Sequence, residues 1–149
     1  MQLVVGLQSG DRLGGYRIER LIGRGWMGAV YLAEHLHLER KVALKVLPAD
    51  LAADPIFRER FIRESRLAAS IEHPAIVPIF DADERQGILY IAMRYIDGGD
   101  LKRLLAEVGP LSRERTLRLL EPVASGLDAA HAQGLVHRDV KPANILIEQ

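Results

Sequence analysis

Three polar residues near the end of the chain, Asp139, Lys141 and Asn144, have the types and spacing to act on a phosphoryl group. Asp139 can accept a proton from a hydroxyl, or orient that hydroxyl for attack. Lys141 can neutralise charge on a group in transfer, and Asn144 offers a neutral oxygen to a hard cation. They lie in the run His137-Arg138-Asp139-Val140-Lys141-Pro142-Ala143-Asn144, between Leu135-Val136 and Ile145-Leu146-Ile147. Asp-Val-Lys-Pro alone reads as an ordinary turn; the eight residues together carry the signal.

A second candidate is Gly23-Arg24-Gly25-Trp26-Met27-Gly28-Ala29-Val30, with the spacing G-x-G-x-x-G-x-V. Glycines let a backbone turn tightly and approach phosphate oxygens with no Cβ in the way. Alone, the pattern also fits a structural turn. A dinucleotide-binding turn would need a helix straight after the glycines. Here Val30-Tyr31-Leu32-Ala33 follows, a strand-forming run, which favours a flap over phosphates between two strands.

Lys45 and Glu64 form the third group. In Val42-Ala43-Leu44-Lys45, Ala43 and Lys45 sit two apart and share one face of a strand. That suits a planar base over Ala43 with Lys45 reaching its phosphates; an ordinary strand-end lysine is the plain alternative. Glu64 falls among Phe57, Phe61, Ala68 and Ile71 on one helical face, while Arg58, Glu59, Arg63 and Arg66 can face water. A buried carboxylate needs a partner, and Lys45 is the available cation. The alternative puts Glu64 at the stripe's edge, reaching water.

These groups need elements to hold them. Residues 16–22, with Ile18, Arg20 and Ile22 alternating against their neighbours, read as a strand. Residues 29–34, 41–47, 76–81 and 88–95 read as four more, with a turn near Arg85-Gln86-Gly87. Asp54-Pro55 is a helix start, and that helix is expected to run to Ile71, before His73-Pro74. After Asp97-Gly98-Gly99 the pattern turns helical: a short helix over 100–108, then a long one capped by Ser112 and ended by Gly134. Its expected apolar stripe includes Leu120, Ala124, Leu127 and His131. Pro122 interrupts it, at a cost of about 3 kcal/mol unless a neighbour supports the bend. The expected organisation is α+β: a lead-in over 1–15, a five-stranded antiparallel sheet with one helix over 16–96, and a helical portion over 97–149.

Composition narrows the function. Lys and Arg together number 20, as do Asp and Glu, so the 149-residue chain is formally neutral. Bulk electrostatics therefore give no footing for nucleic acid or a membrane surface, and phosphate binding must be local. There is no cysteine, which excludes disulfides and thiolate metal sites. The apolar stretch at the start is too short for a signal-peptide core, and no run suffices to span a bilayer. A cytoplasmic location is expected.

In family order, the Gly-rich run, Val42-Ala43-Leu44-Lys45, Glu64, His73-Pro74-Ala75-Ile76-Val77, Met93-Arg94-Tyr95-Ile96-Asp97-Gly98-Gly99-Asp100-Leu101 and the 137–144 run resemble a eukaryotic-like protein kinase of the bacterial serine/threonine branch. The resemblance spans Tyr16 to the end. It implies a kinase N-lobe followed by the first helices and catalytic loop of a C-lobe, with ATP and Mg²⁺ as cofactors and a protein substrate. It implies that Ile22, Val30 and Ala43 line the base, with Met93 behind the adenine. The backbones of Arg94 and Ile96 would meet its edge, and Asp100 the ribose. The loop Gly23, Arg24, Gly25, Trp26, Met27, Gly28 and Ala29 would cover the phosphates. Lys45, held by Glu64, would position them, Asp139 and Lys141 would serve the transfer, and Asn144 would bind one metal ion.

Three features depart from the family pattern. Trp26 stands at the loop tip where a small residue is usual, Pro122 lies inside the long helix, and no Asp-Phe-Gly occurs in the 149 residues. The second metal ligand and the activation segment are therefore absent from this chain. It is expected to be inactive by itself and to self-associate through the exposed helical portion. The alternative reading is a catalytically silent nucleotide-binding or interaction module.

Overall fold

The computed structural model describes residues 6–25 and 28–148. Its contacts divide the chain into two compact units: one runs to Ala69 and resumes over Pro78–Tyr95, the other holds Ser70–Val77 and everything from Ile96.

The first unit is a six-stranded antiparallel sheet of β1 (Arg12–Leu13), β2 (Tyr16–Gly25), β3 (Gly28–His35), β4 (Arg40–Val46), β5 (Ile79–Arg85) and β6 (Ile88–Arg94), in the order β1-β2-β3-β4-β6-β5. The five expected strands are present, and a two-residue strand from the lead-in adds an edge. Two residues are too few for any periodicity to register. Leu13 is nonetheless fully buried, in a cluster with Tyr16, Ile18, Tyr31, Val42, Leu44 and Tyr90.

Tyr16 and Asp81 lie on strands far apart in that order, yet the Tyr16 hydroxyl donates to Asp81 Oδ2 at 3.1 Å. The sheet must therefore curl back on itself. Burial, then the Asp81 carboxylate, pushes the Tyr16 hydroxyl's ionisation upward. Gly14 lies at the same seam, with a positive φ of 57° and its missing Cβ position 2.9 Å from the Tyr90 hydroxyl.

The expected alternation along β2 fails after Ile18. Register shifts between Ile18 and Arg20, and between Leu21 and Gly23, break the two-residue period. Leu21 and Ile22 are consequently both exposed. Strand β5 starts at Ile79 instead of 76, because 73–77 is occupied by a turn in which Ile76 N–H donates to His73 O at 3.1 Å. The β5–β6 connection is the two-residue loop Gln86-Gly87, both at positive φ (55° and 77°), the pairing whose twist suits a tight hairpin.

Two helices pack on this sheet. Helix α1 (Ala49–Ala53) was not expected; one short turn without a side-chain cap leaves little pattern. Helix α2 (Pro55–Ser70) starts as expected, Asp54 Oδ1 accepting from Ile56 N–H at 3.0 Å. Leu47, Ala52 and Leu89 form a second small core, which Phe57 and Phe61 cover.

The second unit contains α3 (Leu101–Val108), α4 (Arg113–Ala132) and a short 3₁₀ turn, Pro142–Asn144. Asp100 and Ser112 cap the two helices, accepting from Arg103 N–H at 2.8 Å and Arg115 N–H at 3.2 Å. Pro122 stands inside α4, which continues on both sides of it. The stripe expected on α4 is corrected. Gly126 is its buried residue, Thr116, Leu119, Val123 and Ala130 are half-buried, and Leu120, Ala124 and His131 are exposed; only Leu127 is shared. The reason is steric. A Cβ at Gly126 would sit 3.4 Å from Ala75 Cβ and Ile76 Cγ1, so the chain at 75–76 packs where α4 has no side chain. Among the described residues, no helix is long and apolar enough to cross a membrane.

Candidate functional site

Helix α4 ends in a way that aims the following loop. Gly134, at φ 79°, donates to His131 O at 2.9 Å, and Leu135 N–H donates to Ala130 O at 3.0 Å. This paired closure lets the chain leave the helix sharply. Arg138 then adopts a left-handed φ of 68°, rare for a side chain other than glycine, and Asp139 N–H donates to His137 Nδ1 at 3.1 Å. Backbone strain of this kind persists where the surroundings over-determine it.

What over-determines it converges on Asp139. Asn144 Nδ2 donates both to the Asp139 carbonyl at 2.8 Å and to Asp139 Oδ2 at 3.1 Å, and Lys141 Nζ lies 3.4 Å from the same Oδ2. Burial raises the Asp139 pKa, but the bonds from Asn144 and Lys141 and the charges of Lys141 and His137 outweigh it, so the carboxyl is held below the usual aspartate range. The loop end is anchored to the start of α3: Leu101 N–H donates to Ile145 O at 2.8 Å, and Ile147 N–H to Gly99 O at 3.0 Å. Asp100 thereby bridges to Leu146 while its carboxylate caps α3. His137, absent from the sequence-derived candidates, is the residue that orients the Asp139 amide; its place in the His-Arg-Asp triplet was the available signal.

In the first unit the strand register groups the other candidates. Gly23, Val30, Lys45 and Ile91 form one cross-strand row, and Leu32, Ala43 and Met93 the next. Lys45 and Val30 are half-buried and Ala43 is buried. Ala29 lies in the core cluster instead, while Arg24 is exposed. Arg94 N–H donates to Pro78 O at 3.0 Å. Ile96, half-buried, belongs to the second unit. Glu64 is half-buried on α2, and Arg60 Nε donates to its Oε1 at 3.2 Å.

The Gly-rich run spans the β2–β3 hairpin, whose last pair is Gly25 with Gly28; Trp26 and Met27 lie outside the described residues. Its glycines serve different ends. Gly28 has φ 119°, and a Cβ there would fall 2.0 Å from the Val46 carbonyl oxygen. At Gly25 a Cβ would meet nothing within 4 Å. Packing therefore demands glycine at 28 but not at 25, where the gain is an approachable backbone.

Among the described residues there is no group of three or more His, Cys, Asp or Glu able to hold a metal ion. Asn144 nonetheless offers one oxygen to a hard cation. Both side-chain bonds of Asn144 use Nδ2, which leaves Oδ1 as its oxygen for a cation. One amide oxygen suits a small cation that takes its remaining oxygens from phosphates and water.

The second unit thus presents a hydrogen-bonded aspartate with a lysine and an asparagine on a left-handed loop, and the first unit a glycine hairpin with a lysine on the neighbouring strand. Residues 16–149 match the protein kinase domain family, and the chain belongs to that family. It is 48% identical over 138 residues to the serine/threonine-protein kinase PknH of Mycobacterium bovis, covering 93% of this chain and 23% of that protein. It is 49% identical over 140 residues to PknE of Mycobacterium tuberculosis, another serine/threonine-protein kinase, covering 94% and 25%. Among solved structures, the kinase domain of Mycobacterium tuberculosis PknI superposes with a TM-score of 0.87 at 43% identity, covering 96% of this chain and 59% of that one. The chain thus spans about a quarter of the length of these curated relatives and about three fifths of the solved kinase domain. The family uses ATP and a divalent metal ion.

Proposed function

We propose that this chain supplies the nucleotide-holding and hydroxyl-orienting parts of a serine/threonine protein kinase. The reaction moves the γ-phosphoryl group of Mg-ATP to a protein Ser or Thr hydroxyl. The bond from the γ-phosphorus to the β–γ bridging oxygen breaks, a bond to the hydroxyl oxygen forms, and the hydroxyl proton is released. Asp139 orients that hydroxyl and receives its proton. Lys141 offsets charge on the moving group. Lys45, held by Glu64, draws the phosphates into line beneath the backbone of Gly23–Gly28, and Ala43, Val30, Ile22 and Met93 receive the base. The Arg94 and Ile96 backbones meet the adenine edge, and Asp100 the ribose. Asn144 would hold one Mg²⁺, which would supply charge neutralisation to the phosphates.

The observation that carries this reading is the convergence of Asn144 Nδ2 and Lys141 Nζ on Asp139 Oδ2. It supports a carboxylate kept ionised and aimed, as hydroxyl orientation needs. Titration calorimetry with ATP tests the nucleotide half: measurable binding, weakened by Lys45→Met, is expected. No heat from a folded sample at millimolar ATP would defeat it. The alternative, a silent nucleotide-binding or interaction module, expects the same binding without transfer. A cytoplasmic site of action and self-association through the helical unit complete the proposal.

A further inference from the structure

We propose that His73 is a pH-sensitive latch holding the 70–77 segment on α4. The inference is independent of the proposed reaction and rests on which ring nitrogen carries the proton. Ala75 N–H donates to His73 Nδ1 at 2.9 Å, so Nδ1 must present a lone pair. The single proton of the neutral ring then sits on Nε2, which donates to Ser125 Oγ at 2.9 Å. The next residue on α4 is Gly126, whose bare Cα lets Ala75 and Ile76 approach. Ile76 N–H donates in turn to His73 O at 3.1 Å. One neutral tautomer therefore closes the turn and ties it to the helix.

A second proton changes only the inner bond. Nδ1 becomes a donor facing the Ala75 N–H donor, and attraction turns to repulsion, while Ser125 can still accept from Nε2. The charged neighbours are Glu72 beside it in the chain and, one turn to either side of Ser125 on α4, Glu121 and Asp128. All three are acidic, and the Ala75 N–H is bonded to His73 Nδ1 and to none of them. The latch is thus closed with the ring neutral and opens as pH falls. His35 and His137 accept backbone N–H groups the same way, from Leu38 at 3.0 Å and Asp139 at 3.1 Å. Among the described residues neither bridges through Nε2 to a second element, so His73 is the one that couples ring charge to docking. Helix α2 ends at Ser70 and β5 begins at Ile79, so the latched turn governs the connection between them.

The test uses the ¹⁵N-labelled chain. Imidazole ¹⁵N shifts at about pH 8 should show His73 protonated at Nε2 only, and the Ala75 amide should be protected from exchange. On lowering the pH to about 5, across the range where histidines change charge, that protection, corrected for intrinsic rates, should fall about tenfold. In His73→Asn the side-chain oxygen can stand in for Nδ1 without titrating, and the loss of protection with pH should disappear. A His73 protonated at Nδ1 at the higher pH, an Ala75 amide equally protected at both, or the same pH dependence in His73→Asn would each overturn the latch.

Discussion

The two glycines that flank the tip of the β2–β3 hairpin should fail in opposite ways when changed to alanine. At Gly28 a Cβ would stand 2.0 Å from the Val46 carbonyl oxygen and 3.2 Å from Leu47 Cα, at a φ of 119°. Both obstacles are backbone, so no side chain can swing aside. The left-handed conformation costs an alanine about 1–3 kcal/mol, and forced overpacking about 1–3 kcal/mol more. Gly28→Ala should therefore destabilise the first unit by about 2–6 kcal/mol. At Gly25 a Cβ meets nothing within 4 Å and φ is not in the left-handed region. Gly25→Ala should leave stability level or raise it by about 0.4–1 kcal/mol through the unfolded chain. Its cost should appear in ATP binding, because the methyl group stands on backbone left open for phosphate. Thermal unfolding followed by circular dichroism, together with ATP titration, reads both: at roughly 2–4 °C per kcal/mol, Gly28→Ala should melt at least about 4 °C lower. Equal melting of the two variants, or unchanged ATP affinity in Gly25→Ala, would refute the division of roles.

Other outcomes follow from named contacts. Among the described residues the buried Tyr31 hydroxyl has no hydrogen-bond partner, so Tyr31→Phe should be neutral or stabilising by up to about 1 kcal/mol in denaturant unfolding. Tyr16→Phe removes the donor to Asp81 and should destabilise by about 1–2 kcal/mol in the same assay. Asp139 should titrate below the usual aspartate range when its carboxyl carbon is followed by NMR. Because its folded pKa is depressed, its contribution to the loop is present above the unfolded pKa and lost as pH falls through the folded one. Asn144→Ala should move that titration upward. Radiolabel transfer to a generic protein substrate should be undetectable for the 149 residues alone; turnover abolished by Asp139→Asn would contradict this. Light scattering should show self-association, since Leu117, Leu120, Val136, Val140 and Leu146 are all exposed in the second unit, and a compact monomer would count against it.

Sequence reading succeeded where one residue type has one physical use. Asp54 and Ser112 could be read as caps, and Gly134 as a helix stop, because each local bond needs only neighbours in the chain. The 137–144 run was legible for a related reason: Asp139, Lys141 and Asn144 lie within one short loop, so their convergence needs no distant partner. Misreadings fell where a distant contact decides. The face of α4 turned because Gly126 admits residues some fifty positions earlier in the chain, and a helical wheel weighted by large apolar residues passes over a glycine. Leu120 fits the wheel as well as Leu119 does, yet is exposed. The alternation on β2 broke at two register shifts that no two-residue period announces. β1, too short for a pattern, became a strand only because the sheet curls and Leu13 finds a core to enter. Glu64 shows both sides of this argument. Its place on an apolar face was visible in the sequence; the bond it accepts from Arg60, one turn earlier on the same helix, was not singled out there. In the proposed arrangement Arg60 and Lys45 draw on one carboxylate, so the arginine shares charge that would otherwise serve the lysine. Arg60→Ala should then strengthen ATP binding while Lys45→Met weakens it, and weaker binding in Arg60→Ala would mean that the arginine supports the site and does not restrain it.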